Sequence, residues 1–283
     1  VTAQHRQMLD QVLELFNITP DFDLNLMKPN QNLWSLTSEI LLETKKIFDE
    51  IRPDIVLVHG DTTTAFGAAL SAFYGRIPVG HVEAGLRTFN KDYPFPEEIN
   101  RVLADAVSDL HFAPTDGAVE NLLKSGIKND GGIYKTGNTV IDALLHTIKK
   151  DVDLSYIALE PNLKTILLTS HRRENFGKPL ENICDAIIEL INNNKDIQVV
   201  YPVHLNPNVQ KTVHNKLDKI KRVKLINPLD YAPFTHLMKR AHIILTDSGG
   251  VQEEAPSLGV PVLVLRDETE RPEALEYGCV KLA

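Results

Sequence analysis

Three acidic side chains, Asp61, Glu83 and Glu97, occupy positions that suit proton transfer. Asp61 lies in the segment HGDTTT (59–64), directly after an apolar run that predicts a strand, and Glu83 lies in HVEAGLRT (81–88) after a second such run. Parallel sheets bind ligands at the carboxyl ends of their strands. Carboxylates at that edge can act as general acids and bases, so the pattern indicates an active site. For Asp61 alone, capping of the next helix is an equally good explanation.

A second group of residues predicts an anion site in the C-terminal half. The segment TDSGGVQEE (246–254) joins an apolar run to a helix through two glycines, so backbone N–H groups at the helix start can approach a phosphate. Glu254 lies one helical turn beyond Gly250, where its carboxylate can accept hydrogen bonds from a ribose diol. The segment SHRRENFG (170–177) carries two arginines that suit a diphosphate, with a solvated charge cluster as the alternative. For His204, which follows another apolar run, helix capping is the favoured explanation.

The elements that must position these residues follow an alternation of strand-like and helix-like patterns. The sequence predicts strands at 54–58, 77–82, 110–113, 133–136, 165–169, 198–203, 223–226, 243–246 and 261–265, with helices between them. This alternation predicts an α/β protein with two doubly wound Rossmann-like domains. An irregular acidic stretch at 149–164 is the linker candidate. We therefore expect domains of residues 1–151 and 152–283, with the active site in the cleft between them.

Composition excludes several classes of protein. A chain of 283 residues with 43% hydrophobic and 24% charged residues can bury two cores, and no apolar run approaches the roughly 18 to 20 residues that span a bilayer. The net charge of -8 argues against a nucleic-acid partner, which requires a basic surface. Cys184 and Cys279 lack the spacing of metal ligands, and we expect both to be buried thiols. The polar start of the chain contains no signal peptide, which favours a cytoplasmic protein without a membrane partner.

Taken together, these segments resemble the bacterial non-hydrolysing UDP-N-acetylglucosamine 2-epimerases, whose two-domain fold is GT-B-like. The motifs that carry the resemblance extend over nearly the whole chain: TAQH (2–5), GDTTT (60–64), HVEAGLRT (81–88), PEEINR (96–101), HRREN (171–175), PLDY (228–231) and SGGVQEE (248–254). The resemblance implies interconversion of UDP-GlcNAc and UDP-ManNAc without a metal or a nicotinamide cofactor. It implies anti elimination of UDP to 2-acetamidoglucal, followed by re-addition of UDP.

The same resemblance implies roles for individual residues. The implied catalytic residues are Asp61, Glu83, Glu97 and His171. The implied UDP-binding residues are Arg101, Phe234, Ser248, Gly249, Gly250, Glu254 and Arg271, where Phe234 packs on uracil or is equally well explained as a helix core residue. A second UDP-GlcNAc, acting as an allosteric activator, is implied at Gln4, Gln7, Arg172 and His204. Which acid is the base stays open. The family also implies a homodimer and a role in cell-envelope polysaccharide biosynthesis.

The resemblance departs from the family at Asn30, where many regulated members carry an arginine, and more widely at both ends of the chain, and it leaves two alternatives open. The family opens with a strand and a Gly-Thr-Arg-Pro-Glu loop and continues into C-terminal helices, neither of which this sequence contains. We therefore expect the isolated polypeptide to be poorly active and prone to associate. A GT-B glycosyltransferase would use the glycine turn and Glu254 but would not need the three acids together. A UDP-sugar-binding fragment would bind UDP and turn nothing over.

Overall fold

The structure, a computed structural model, describes residues 1–3, 6–28, 31–170, 172, 175–266 and 278–283. The contacts between residues group the chain into two compact units, Val1–Thr139 and Val140–Ala283. Each unit is built on a parallel sheet with helices in the connections, which confirms the α/β prediction. Within the described ranges, no helix combines the length and the hydropathy that crossing a bilayer requires.

The first unit places the ends of its first two strands side by side. Its helices are α1 (Arg6–Phe16), α2 (Leu33–Ile51), α3 (Thr63–Tyr74), α4 (Glu97–Val107) and α5 (Asp116–Lys124). Its strands are β1 (Val56–His59), β2 (Val79–Val82), β3 (Leu110–Ala113) and β4 (Ile133–Lys135). The strands pair in parallel in the order β1-β2-β3-β4, with His59 opposite Val82. Because β1 and β2 end at the same level, the residues that follow them meet at one edge of the sheet.

Small side chains bring α3 close to this sheet. Ala65, Ala69 and Ala72 recur at helical spacing on α3 and are buried in one cluster with Val58 of β1 and Val79 of β2. Since alanine side chains are short, the helix axis can lie near the strands. This packing fixes the short segment that leads from β1 into α3.

The second unit reverses its strand order at one point. Its helices are α6 (Thr139–Thr147), α7 (Lys178–Asn193), α8 (Pro207–Leu217), α9 (Tyr231–Arg240) and α10 (Gly249–Ser257), with a 3-10 turn at Ser155–Ile157. Its strands are β5 (Lys164–Thr169), β6 (Ile197–Pro202), β7 (Val223–Ile226), β8 (Ile243–Thr246), β9 (Val262–Val264) and β10 (Val280–Leu282). They lie in the order β10-β9-β8-β5-β6-β7. The chain runs outward from β5 to β7 and then returns to β8 on the other side of β5. Such a switch point is where open α/β sheets bind ligands.

Three features add to the sequence-based expectations. The two units divide after Thr139, and Leu144 of α6 is buried in the same cluster as Leu167 and Leu237 of the second unit, while the domains of 1–151 and 152–283 stay a prediction. The strand β10 was not predicted, since three residues are too few to show an alternating pattern. Both cysteines are free thiols, but Cys279 is only partly buried, so the prediction of two buried thiols is wrong for Cys279.

Gly85 and Gly126 form a matched pair for testing the packing of the first unit. Both have positive φ, but a Cβ on Gly85 would lie 2.2 Å from the carbonyl oxygen of Ala118, whereas a Cβ on Gly126 would meet nothing within 4 Å. We expect Gly126→Ala to lower the free energy of unfolding by about 1–2 kcal/mol through backbone strain alone. Gly85→Ala should cost about 1–3 kcal/mol more through overpacking. Urea unfolding followed by circular dichroism measures both values, and equal losses would contradict the packing argument.

Candidate active site

Asp61 and Glu83 lie at the same edge of the first sheet. Asp61 follows β1 after Gly60, and Glu83 follows β2 directly. A Cβ built on Gly60 would lie 3.3 Å from Oε2 of Glu83, so the backbone beside Asp61 passes close to the second carboxylate. Glu83 has a positive φ of 66°, a strained conformation that folded structures retain mainly at functional sites. The structure therefore brings the two acids together, and their catalytic role stays a prediction.

The Glu83 carboxylate has two polar neighbours in the same unit. Nε2 of His59 lies 3.6 Å from its Oε2, and Nδ2 of Asn138 donates to its Oε1 at 3.4 Å. His59 is exposed, whereas Glu83 is partly buried. Both contacts are long, so they leave the carboxylate accessible to a ligand.

The Asp61 carboxylate is held by Arg101 of α4. Nη2 of Arg101 donates to Oδ2 of Asp61 at 2.7 Å, and the side chain of Asn100 donates to the Asp61 carbonyl oxygen at 2.9 Å. Helix α3 is capped by Thr62, whose Oγ1 accepts the backbone N–H three residues later, so the explanation of Asp61 as a helix cap is wrong. Because Arg101 is engaged with Asp61, it orients that carboxylate. Its predicted contact with UDP stays a prediction.

The adjacent residues Glu97 and Glu98 have different environments. Glu97 is the first residue of α4 and is partly buried. Glu98 is 2% exposed and accepts the backbone N–H groups of Thr88 and Phe89, each at 3.0 Å. Nη1 of Arg101 also lies 3.6 Å from Glu98. Glu98 therefore holds the loop after β2 in place, a role that the sequence analysis missed because two neighbouring glutamates look alike in a motif.

A buried carboxylate on α4, Asp105, receives two basic side chains near these acids. Its Oδ1 lies 2.5 Å from Nδ1 of His81, and its Oδ2 accepts from Nη2 of Arg87 at 2.5 Å. Burial would raise the pKa of Asp105, but the hydrogen bond and charge of His81 and the charge of Arg87 outweigh it, and this pKa lies below its ordinary value. Nε2 of His81 lies 2.7 Å from the carbonyl oxygen of Gly60. No local pattern predicts this cluster, whose sequence signal is a histidine inside a predicted strand.

The switch point of the second unit is organised by another buried carboxylate, Asp247. Its Oδ2 accepts three hydrogen bonds from the segment after β5: from Oγ of Ser170 at 3.0 Å, from the backbone N–H of Arg172 at 3.0 Å and from Nδ2 of Asn175 at 2.9 Å. Asp247 is fully buried and directly follows β8. It thus ties the segment after β5 to the predicted phosphate turn.

The predicted phosphate turn has the geometry that an anion site requires. Ser248 precedes α10, its side chain makes no capping hydrogen bond, and Gly249 and Gly250 form the first turn of the helix. A Cβ on Gly250 would meet nothing within 4 Å, so the space at the helix start is open. An open helix N-terminus favours a negative charge.

Glu254 points to an aromatic hydroxyl on the neighbouring helix. The OH group of Tyr231 donates to Oε1 of Glu254 at 2.7 Å. Burial raises the pKa of Glu254, and the hydrogen bond from Tyr231 opposes that rise. Burial and the same carboxylate also raise the pKa of Tyr231. A ribose contact at Glu254 stays a prediction.

The remaining predicted residues lie in mixed surroundings. Phe234 of α9 is partly buried and packs against the core of the second unit, while Gln7 of α1 is exposed. His204 is exposed, and its Nδ1 accepts the backbone N–H of Asn206 at 3.1 Å, so it has a structural role beside the cap of α8 while Asn206 is the cap itself. The predicted residues Gln4, His171 and Arg271 lie outside the described residues.

In the part of the chain that is described, no three His, Cys, Asp or Glu side chains are grouped to hold a metal ion.

Comparisons with known proteins extend over the whole chain. The family model described as UDP-N-acetylglucosamine 2-epimerase matches residues 1–283. The UDP-N-acetylglucosamine 2-epimerase of Bacillus subtilis is 57% identical over 283 residues, which are 100% of this chain and 74% of that protein. The corresponding Escherichia coli K12 protein is 54% identical over 291 residues, covering 100% of this chain and 77% of its own length. The crystal structure of UDP-GlcNAc 2-epimerase from Neisseria meningitidis bound to UDP-GlcNAc aligns with a TM-score of 0.88 at 53% identity, covering 99% of this chain and 78% of that one.

Two parallel α/β units with these polar strand ends define a GT-B-like protein. The chain belongs to the UDP-N-acetylglucosamine 2-epimerase family. The two alternatives, a glycosyltransferase and a binding fragment, are not favoured by these matches.

The buried Asp105 carboxylate makes the stability of the first unit depend on pH. Because its pKa is lowered by folding, its contribution is complete above the ordinary value of 3.8 and is lost as the pH falls through the lower folded-state value. We expect Asp105→Asn to lower the free energy of unfolding by about 3–5 kcal/mol at pH 7, since the buried guanidinium of Arg87 loses its charged partner and His81 loses a hydrogen-bond partner. The difference should shrink below about pH 4.

The control for that prediction is Asp116→Asn. Asp116 is exposed and pairs with Lys135 on the surface, so its removal should change the free energy of unfolding by less than about 0.5 kcal/mol. Urea titrations at several pH values measure both variants. A loss at Asp105 that is as small as the loss at Asp116, or that does not vary with pH, would contradict the role assigned to the cluster.

Proposed function

We propose that this chain interconverts UDP-GlcNAc and UDP-ManNAc by inverting the configuration at C2 of the sugar. The observation that carries the proposal is the meeting of Asp61 and Glu83 at one edge of the first sheet. Further support comes from the names of relatives at 54% and 57% identity and from the UDP-GlcNAc bound to the Neisseria meningitidis protein.

The chemistry explains why acids are needed at this edge. The C2 hydrogen of the sugar is not next to a carbonyl group, so its removal as a proton would leave a carbanion without stabilisation. When the C1–O bond breaks at the same time, its electron pair leaves with UDP and a C1=C2 double bond forms in 2-acetamidoglucal. A phosphate oxygen of UDP then adds back to C1 while C2 receives a proton on its other face. Proton-transfer groups on both faces are required.

The residues divide between these tasks. We assign proton transfer to Asp61, Glu83 and Glu97, with Arg101 orienting Asp61. In the second unit, the N-H groups at the start of α10 are suited to the negative charge of the departing diphosphate. The other assignments rest on the matching motifs: His171 at the diphosphate, Glu254 at the ribose, Phe234 at uracil, and Ser248, Gly249, Gly250 and Arg271 among the UDP contacts.

Proton NMR of UDP-GlcNAc in deuterated buffer tests the function. With the chain present and no acceptor added, we expect deuterium to replace hydrogen at C2 and the anomeric signal of UDP-ManNAc to appear. Free ManNAc with UDP would instead identify a hydrolase. No exchange, with UDP binding retained in calorimetry, would contradict the proposal and leave a binding protein.

A matched pair of variants assigns the exchange to the site. Glu83→Gln keeps the size of the side chain but removes its ability to accept a proton, so the exchange rate should fall by about 10²–10⁴-fold. Glu120→Gln is the control, because Glu120 is exposed on α5 and pairs with Lys124 on the surface. It should keep the parent rate, and equal rates in the two variants would remove Glu83 from the mechanism.

We also propose that the protein acts as a cytoplasmic homodimer in the synthesis of a cell-envelope polysaccharide and that a second UDP-GlcNAc activates it. The support for the activator is the match of Gln4, Gln7, Arg172 and His204 to the activator positions of bacterial enzymes. Activation would make the rate a sigmoidal function of UDP-GlcNAc concentration, and Arg172→Ala would make it hyperbolic. Sedimentation measures the dimer, and a hyperbolic curve for the parent chain would exclude the activator.

A further inference from the structure

The ring of His81 faces two hydrogen-bond acceptors in the interior of the first unit. Nδ1 lies 2.5 Å from a carboxylate oxygen of Asp105, and Nε2 lies 2.7 Å from the backbone carbonyl oxygen of Gly60. His81 is 0% exposed, so water does not compete for either nitrogen. A neutral imidazole has one N–H and one lone pair, and it would point that lone pair at one of the two oxygens. Only a ring with both nitrogens protonated donates both hydrogen bonds.

The charges around the ring suit a cation at this position. Asp105 is the carboxylate shared between His81 and Arg87, whose side chain is 1% exposed. A further ionisable neighbour is His111, which pairs in register with His81 on β3 and faces the backbone oxygen of Asp105 through Nε2 at 2.9 Å. From the segment after β1, the ring faces the Gly60 carbonyl group. A neutral His81 ring would place no positive charge beside Asp105, and the hydrogen bond between the two side chains would be weaker.

The backbone of Gly60 is held on both sides of its Cα atom by β2. Its N–H donates to the carbonyl oxygen of Val82 at 3.0 Å, and its carbonyl oxygen faces Nε2 of His81. The carbonyl carbon of Gly60 is bonded to the backbone nitrogen of Asp61. Any rotation of that peptide would therefore move Asp61 relative to Glu83, and the contact with His81 opposes such a rotation.

We propose that His81 is a positioning residue, whose doubly protonated ring fixes the Gly60 carbonyl group and thereby sets where Asp61 lies relative to Glu83. This inference rests on the proposed function, in which those two carboxylates exchange protons with the substrate. His81 itself is buried and does not touch the substrate. It acts through the backbone of its neighbouring strand.

Three variants separate positioning from packing. His81→Phe removes both hydrogen bonds, and we expect kcat for epimerisation to fall by about 100-fold with KM for UDP-GlcNAc changed by less than about threefold. His81→Gln can still donate to Gly60 from its side-chain amide, so it should recover at least about tenfold of that loss. His111→Phe replaces the buried histidine opposite His81 and should keep kcat within about threefold of the parent value. Equal losses in His81→Phe and His111→Phe, or no loss in His81→Phe, would overturn the proposal.

Two measurements test the proposal without activity. Nitrogen-15 NMR of the ring in the unsubstituted chain should show a proton on both nitrogens of His81, and a ring with only one N–H would overturn the proposal. A crystal structure of His81→Phe should show a displaced Gly60–Asp61 peptide, and an unmoved peptide would likewise overturn it. If the parent chain lacks epimerase activity while both results hold, the proposed function fails and the positioning role of His81 stands.

Discussion

The geometry of the first unit depends on the carboxylate of Asp105, which His81 and Arg87 share. This buried group lies on α4 and binds a histidine from β2 and an arginine from the loop that follows β2, with both distances at 2.5 Å. A buried guanidinium without a partner is strongly destabilising, so the ion pair of Arg87 and the hydrogen bond of His81 together restrict the helix to one position against the sheet. That position also brings Arg101 to Asp61 and Glu98 to the loop after β2. One ion cluster therefore sets the geometry of the whole acidic edge.

The second unit uses the same principle at its switch point. Asp247 is buried directly after β8. One of its carboxylate oxygens, Oδ2, accepts three hydrogen bonds from the segment after β5. Because those donors come from a different strand connection, the carboxylate holds two strand-end segments in one register. The glycine turn that follows is open at the start of α10, where an anion is favoured. In both units, a buried carboxylate fixes the segments that follow the strands.

Helix α4 shows why part of the site escaped sequence analysis. Its buried residues include Glu98, Asn100 and Asp105, whereas Ile99 and Leu103 are exposed. Hydrophobic periodicity assigns the opposite faces, since apolar side chains normally face the core. The polar face is buried here because each group finds a specific partner in another element. Such partners are far apart along the chain, so no local pattern reveals them.

Sequence patterns alone predict the alternation of strands and helices and the placement of Asp61, Glu83 and the glycine turn after strands. These features follow from local periodicity and from the rule that parallel sheets bind ligands at one edge. Three features required the folded structure: Asp61 pairs with Arg101 and does not cap α3, α6 from Val140 onward lies in the second unit, and His81 reaches the Gly60 carbonyl. Each of these depends on contacts between residues distant in sequence, and burial makes those contacts decisive because an unpaired polar group in the interior is costly.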